Sequence, residues 1–322
     1  MTATRTRVVY VGGTGRSGST VLANVLGEVP GLVSVGEVRF LWERGILQNR
    51  LCGCGDHFAD CPFWSKVLDR AFGPDDERRA EDRSTTARRM CRSLAERTRM
   101  RSLPSQVGRR QRAIDPELAT TLGRLYEAIA EVAGAEVVVD SSKLPTYAVQ
   151  LADVPSITVQ VLHLVRDPRA AAHSWRRRRA QPDLGETALM ERRGAAKSAV
   201  LWRIWNTALE RMCRSRGLEY RLLNYESFVA DPRGELRRLL RGFALLAPSQ
   251  LDPVLDELFE APDVVRLSSN HTVAGNPARH HHGSVALVPD DEWRDRLGAA
   301  DRRLVSVLTW PTLPRFGYRA RV

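Results

Sequence analysis

The segment Val8-Val9-Tyr10-Val11-Gly12-Gly13-Thr14-Gly15-Arg16-Ser17-Gly18-Ser19-Thr20 joins an apolar run to a glycine-rich turn and two hydroxyl side chains. Fresh apolar residues follow at Val21, Leu22, Val25 and Leu26. The pattern predicts a buried strand, a loop of phosphate size and the first turns of a helix. Free N–H groups and the positive dipole end of such a helix attract an anion. Which anion has competing readings. Gly13, Gly15 and Gly18 satisfy G-x-G-x-x-G, with Glu37 near the position of a ribose-binding acid, which fits a dinucleotide. Gly13 to Gly18 also has Walker A spacing. There, however, Ser19 stands in place of the Lys that reaches the outer phosphates, and the loop's cation is Arg16.

A second constellation narrows the choice. His163-Leu164-Val165-Arg166-Asp167-Pro168-Arg169 closes an apolar strand, and residues 170–175 continue as a helix. Arg166 and Ser174, eight residues apart, offer a donor fork and a hydroxyl suited to a phosphate dianion. Arg178 lies one helical turn past Ser174. A local Arg166–Asp167 ion pair is the plainer alternative. Taken together, Arg16-Ser17-Gly18-Ser19-Thr20 and Arg166…Ser174 resemble the two anion sites of sulfotransferases that use 3′-phosphoadenosine-5′-phosphosulfate (PAPS). Gly36-Glu37, Trp205-Asn206 and Tyr225-Glu226 resemble features of tyrosylprotein sulfotransferases and of a large bacterial group. The 140–145 segment and Asn270-His271…Gly275-Asn276-Pro277 look closer to the bacterial group. The resemblance fades in residues 74–112 and beyond 310.

The resemblance implies transfer of a sulfuryl group from PAPS to a hydroxyl of a small-molecule or glycolipid acceptor, with adenosine 3′,5′-bisphosphate (PAP) as product. Gly15, Arg16, Ser17, Gly18, Ser19 and Thr20 would hold the 5′-phosphosulfate, with Arg16 beside the bridging oxygen. Arg166, Ser174, Arg178 and Tyr225 would hold the 3′-phosphate. A loop over residues 265–289 would close on PAPS through Ser269, Asn270, Asn276 and Arg279. Glu37, 21 residues after Arg16, takes the position of the general base, with pairing to Arg39 as its alternative. Lys143 is one of only three Lys among 49 basic residues, and its retention suggests a point charge on the sulfuryl group. A metal is not expected, because the phosphate leaving group is already good. The rival functions are a nucleotide-dependent kinase with an atypical P-loop, using Asp140 on Mg²⁺, and a non-catalytic PAP-binding regulatory module.

Cys52, Cys54 and Cys61 surround His57 in a run that also occurs in the bacterial sulfotransferases. Their number suits a tetrahedral zinc site or a disulfide, but the spacings are tight. Anchoring by Phe63 and Trp64 is the preferred reading. His280-His281-His282 reads as a solvated tract. His271 is either a second proton carrier or a loop-stabilising residue.

These groups need a scaffold. Apolar, β-branched runs at 8–11, 137–139, 157–165 and 220–223 alternate with helix-like segments. That predicts an α/β fold of P-loop-like, three-layer type around a mainly parallel sheet, with the 322 residues as one domain. Residues 74–112, dense in Arg and Glu, read as a helical insertion or lid. Residues 176–194 read as a basic loop, 195–216 as a long helix, 262–289 as loop and 290–308 as helix. The net charge of +11 fits a polyanionic ligand. The Arg residues are too dispersed for a nucleic-acid module. No signal peptide or 18-residue apolar run is legible, so a cytoplasmic protein with free thiols is expected. The expected partner is a small hydroxyl acceptor, with a homodimer as an option.

Overall fold

The computed structural model describes residues 5–74, 77–98, 114–185 and 187–319. Five strands form the main sheet: β1 (Thr6–Gly13), β2 (Leu32–Ser34), β3 (Val137–Lys143), β4 (Ile157–Val165) and β5 (Glu219–Asn224). Their order is β2-β3-β1-β4-β5, with every neighbouring pair parallel. All five strands therefore end on one edge of the sheet. The chain leaves β1 toward β2 and leaves β4 toward β5, so a crevice opens between their ends, where α/β sheets bind ligands.

The α-helices of the described residues are α1 (Ser19–Gly27), α2 (Pro62–Phe72), α3 (Glu77–Arg97), α4 (Pro116–Ala133), α5 (Pro145–Ala152), α6 (Pro168–Arg176), α7 (Ala195–Arg216), α8 (Tyr225–Ala230), α9 (Pro232–Gly242), α10 (Pro248–Leu258), α11 (Trp293–Arg296) and α12 (Ala299–Thr309). Strand side chains alternate between faces. Val8 and Tyr10 of β1 pack with Leu122, Tyr126 and Ala148 from α4 and α5. Val9 and Val11 pack with Leu22 and Leu26 of α1 and Leu236 of α9. Both faces of β1 are buried, which is why it reads as an unbroken apolar run.

The predicted α/β, three-layer, mainly parallel architecture is thus the observed one. Two local readings change. Residues 262–289 are not all loop: β7 (Val264–Leu267) pairs antiparallel with β6 (Phe259–Ala261) and with β8 (Gly283–Ala286). Val265 and Leu267 are buried and Arg266 is exposed, a short alternation hidden among Pro, Gly and His. Residues 290–308 break into α11 and α12, separated at Leu297-Gly298. Of the expected 74–112 insertion, α3 is helical and buries Ala87, Met90 and Leu94. Residues 75–76 and 99–113 lie outside the described residues.

Candidate active site

The β1–α1 loop is shaped by glycine. Gly18 has φ +89°, and a Cβ there would sit 2.4 Å from the Tyr225 ring. A Cβ on Gly13, at φ +135°, would meet the Leu164 carbonyl at 2.3 Å. Helix α1 starts at Ser19 with no side-chain cap, so its first N–H groups face the loop. Ser17 and Ser19 are buried, and the Ser17 hydroxyl has no protein partner. Arg16 adopts φ +69°, uncommon for a side-chain-bearing residue. Its Nη2 contacts Met190 Sδ at 3.3 Å, and its guanidinium lies 4.9 Å from the Trp175 ring. Its Nη1 is buried without a partner. Burial, then the charges of Arg179 and Arg193, pull the Arg16 pKa down to about 10, so it stays charged at neutral pH. Three crowded cations make an anion welcome here.

The β4–α6 loop supplies the second part. Trp202 Nε1 donates to the Arg166 carbonyl at 2.8 Å. Glu226 accepts from the Asp167 amide at 2.9 Å. The Arg166 guanidinium lies over Tyr225 at 4.7 Å and donates to the Arg16 carbonyl at 3.3 Å. The β1 and β4 loops therefore meet. Arg166 pairs with Asp290 at 3.0 Å, while Asp167 pairs with Arg169 at 2.6 Å, so the local Arg166–Asp167 pair does not form. Burial pushes the Asp290 carboxyl up, but Arg166 and Arg177 outweigh it and hold it below the usual range. Ser174 is buried on α6 and lines the same cleft. Arg178 is not brought there. Helix α6 ends at Arg176 and Arg177 turns extended, so the helical spacing from Ser174 is broken and Arg178 is exposed. Arg179 lines the cleft instead.

Glu37 follows β2 and Lys143 ends β3. Their side chains meet, Lys143 Nζ donating to Glu37 Oε1 at 2.6 Å and to the Ser141 carbonyl at 3.0 Å. Arg39 is not the partner of Glu37; it donates to Thr98 Oγ1 at 2.9 Å. Asp140 is fully buried, accepts from Ser142 and Tyr126 and does not line the cleft, so it is not placed for the Walker B role. Arg16, Glu37, Lys143, Arg166, Ser174 and Tyr225 line one cleft of about 360 Å³. A larger cavity of about 610 Å³ involves Arg169, Trp293 and Tyr318 and none of the glycine-loop residues.

The 265–289 candidates divide. Asn276 lines the cleft, and its amide donates to Thr20 Oγ1 at 3.4 Å. Asn270 is a brace: its Oδ1 accepts from the Thr272 amide and its Nδ2 donates to the Arg279 carbonyl. Arg279 is buried against the Gly275 and Leu51 carbonyls and Asp183. Ser269 is exposed.

The expectation of no metal does not hold. Cys52, Cys54, Cys61 and His271 gather with one ligand atom each, all within 4.8 Å of one another. The imidazole is His271 and not His57, which is exposed and bonded through Nδ1 to the Asn49 carbonyl at 2.8 Å. His281 and His282 are exposed.

Sequence reasoning passed over Trp175, Arg179, Arg193 and Asp290. Trp175 adjoins Ser174 and was available as a cation platform. Asp290 belongs to an acidic run, Asp290-Asp291-Glu292, complementary to the basic run 176–179.

A family model described as the sulfotransferase family matches residues 9–246. The chain therefore belongs to the sulfotransferase family, and both the β1 and β4 loops fall within the match. No curated protein matches it. Among solved structures, a sulfotransferase domain from the curacin biosynthetic pathway is 17% identical with a TM-score of 0.48, covering 95% of this chain and 98% of its own. Sulfotransferase STF9 from Mycobacterium avium is 12% identical with a TM-score of 0.47, covering 99% of this chain and 78% of its own. Among the described residues, no helix is long and apolar enough to cross a membrane.

Proposed function

We propose that the chain, acting as one domain, transfers the sulfuryl group of PAPS to the hydroxyl of a small-molecule acceptor. The observation that carries this reading is the Arg166–Arg16 contact at 3.3 Å, which puts two cation-bearing loops in one cleft. A ligand with phosphates at both its 5′ and 3′ positions uses both loops; ADP or NAD uses only one. The 5′-phosphosulfate lies on the α1 N-terminus, Ser17, Ser19 and Thr20, and the 3′-phosphate lies against Arg166 and Ser174 beside Tyr225.

In the reaction the acceptor oxygen bonds to sulfur and the bond from sulfur to the bridging oxygen breaks. The hydroxyl proton passes to Glu37, and PAP leaves with its 5′-phosphate charge facing Arg16. Lys143 neutralises Glu37 before the donor arrives and turns to the sulfuryl oxygens as charge spreads over them. Phe40 and Trp205 at the cleft wall supply apolar surface for the acceptor.

The test is turnover of labelled PAPS with panels of phenols, sugars and lipids, read as PAP release. Glu37→Gln abolishes turnover while PAP still binds. Unchanged turnover removes Glu37 from the mechanism, and failure of every acceptor together with failure to bind PAP removes the reading.

A further inference from the structure

The cysteine–histidine cluster lies outside the donor cleft and has no part in the chemistry above. Three of its members come from one short loop, Cys52, Cys54 and Cys61. The fourth, His271, is distant in sequence and belongs to the segment that forms a wall of the cleft. We propose that these four residues bind one zinc ion, and that the ion clamps the 270–279 segment against the cysteine loop and so fixes the cleft wall.

The distances fit a metal better than a covalent bridge. Cys54 Sγ and Cys61 Sγ are 3.7 Å apart, and Cys61 Sγ is 3.3 Å from His271 Nδ1. A disulfide needs about 2.05 Å. Two thiolates at about 2.3 Å from a tetrahedral zinc lie about 3.7 Å apart, and a thiolate and an imidazole nitrogen about 3.6 Å. Three sulfurs and one nitrogen make a closed, four-coordinate structural set. A disulfide would use two sulfurs and leave a third with the imidazole unexplained.

The surroundings orient the ligands as an outer shell should. The His271 ring stacks on Phe63 at 4.7 Å, with the planes 8° apart. Trp64 Nε1 donates to the His271 carbonyl at 2.9 Å. The Gly53 amide donates to the Thr272 carbonyl at 2.9 Å, so the two loops are joined on either side of the ligands. A Cβ on Gly53 would lie 2.1 Å from Asn270 Oδ1, a closeness only glycine permits.

From His271 the chain runs directly into the site. The Val273 amide donates to the Val35 carbonyl at 3.0 Å, the Glu37 amide to the Ala274 carbonyl at 3.3 Å, and the Asn276 amide to Thr20 Oγ1. An ion at His271 therefore fixes the backbone around Glu37 and Thr20 without touching substrate. The proposal does not depend on which anion the cleft binds.

Elemental analysis of the full chain from zinc-supplemented medium should find one zinc per chain. Removing it with a chelator under reducing, mildly acidic conditions should expose up to three further reactive thiols and speed hydrogen exchange across 270–279 but not in α4. Refilling with Co²⁺ should give the thiolate charge-transfer and intense visible bands of tetrahedral coordination. Cys54→Ser and His271→Gln should lower zinc retention at least tenfold; if either fails to fold, the cobalt spectrum of the unsubstituted chain still decides. Substoichiometric zinc with no tetrahedral cobalt spectrum overturns the site, as does a disulfide among these cysteines in the unreduced mass. Stoichiometric zinc whose removal leaves exchange at 270–279 unchanged overturns the clamp.

Discussion

Asp290 pairs with Arg166, the cation assigned to the 3′-phosphate, and Asp290→Asn should therefore tighten PAP. A phosphate that hydrogen-bonds Arg166 brings its charge to about 5 Å from the Asp290 carboxylate, unless the carboxylate is displaced and its ion pair lost. At an effective dielectric near 20, two unit charges at that separation repel by about 3 kcal/mol. The Asp290 side chain is 23% exposed, so solvent screens part of this. Halving the figure leaves about 1.5 kcal/mol, or roughly tenfold in affinity. The amide keeps the shape of the side chain and removes the charge. The assay is calorimetric titration of both forms with PAP and with adenosine 5′-phosphosulfate, which lacks the 3′-phosphate. PAP should tighten about tenfold, and the phosphosulfate should change little. An equal gain for both ligands, or no gain for PAP, would refute the placement of the 3′-phosphate at Arg166.

Three further outcomes follow from particular contacts. Gly18→Ala forces a side chain into φ +89° and against the Tyr225 ring. A cost of about 1–2 kcal/mol from the backbone alone should lower the melting temperature and weaken PAP; unchanged PAP affinity would contradict the loop assignment. Lys143→Met removes the cation proposed to turn from Glu37 to the sulfuryl oxygens and should reduce turnover by about 10²-fold while PAP affinity stays within a few-fold, read by steady-state kinetics and calorimetry. His163 is buried between Tyr220 and Asn206, and burial pushes its pKa down to about 4. Between about pH 6.5 and 4 the unfolded chain binds the proton that the folded chain refuses, so stability falls with pH by up to about 3 kcal/mol. Asp140, pushed up by burial to about 6, acts in the opposite sense. His163→Asn should therefore flatten the acid-side loss in urea denaturation relative to the unsubstituted chain, and an identical pH slope would refute the account.

Much of the fold was legible because β1, β3 and β4 are buried on both faces and read as apolar runs. The two candidate anion loops were legible for the same reason, since each lies at the end of such a strand. Arg178 misled because its spacing assumed that α6 continued past Arg176. The Glu37–Lys143 pair joins residues 106 apart, and only the β2-β3 adjacency brings them together. His271 stands 210 residues from Cys61, so the local reading turned to His57 and the tight spacings argued against a metal. β7 and β8 pair across an intervening polar, His-rich segment whose composition hides four-residue strands. Asp290 was hidden differently: its meaning is its contact with Arg166, and an acidic run alone names no partner.

The proposed donor cleft binds phosphates at both ends of one nucleotide. Side-by-side calorimetry of the unsubstituted chain with PAP, ADP and NAD tests it directly. PAP should bind at least about tenfold more tightly than ADP, with one extra charge-assisted phosphate contact worth about 1.5 kcal/mol or more, and Arg166→Ala should erase the difference. Binding of ADP or NAD with none of PAP would contradict it.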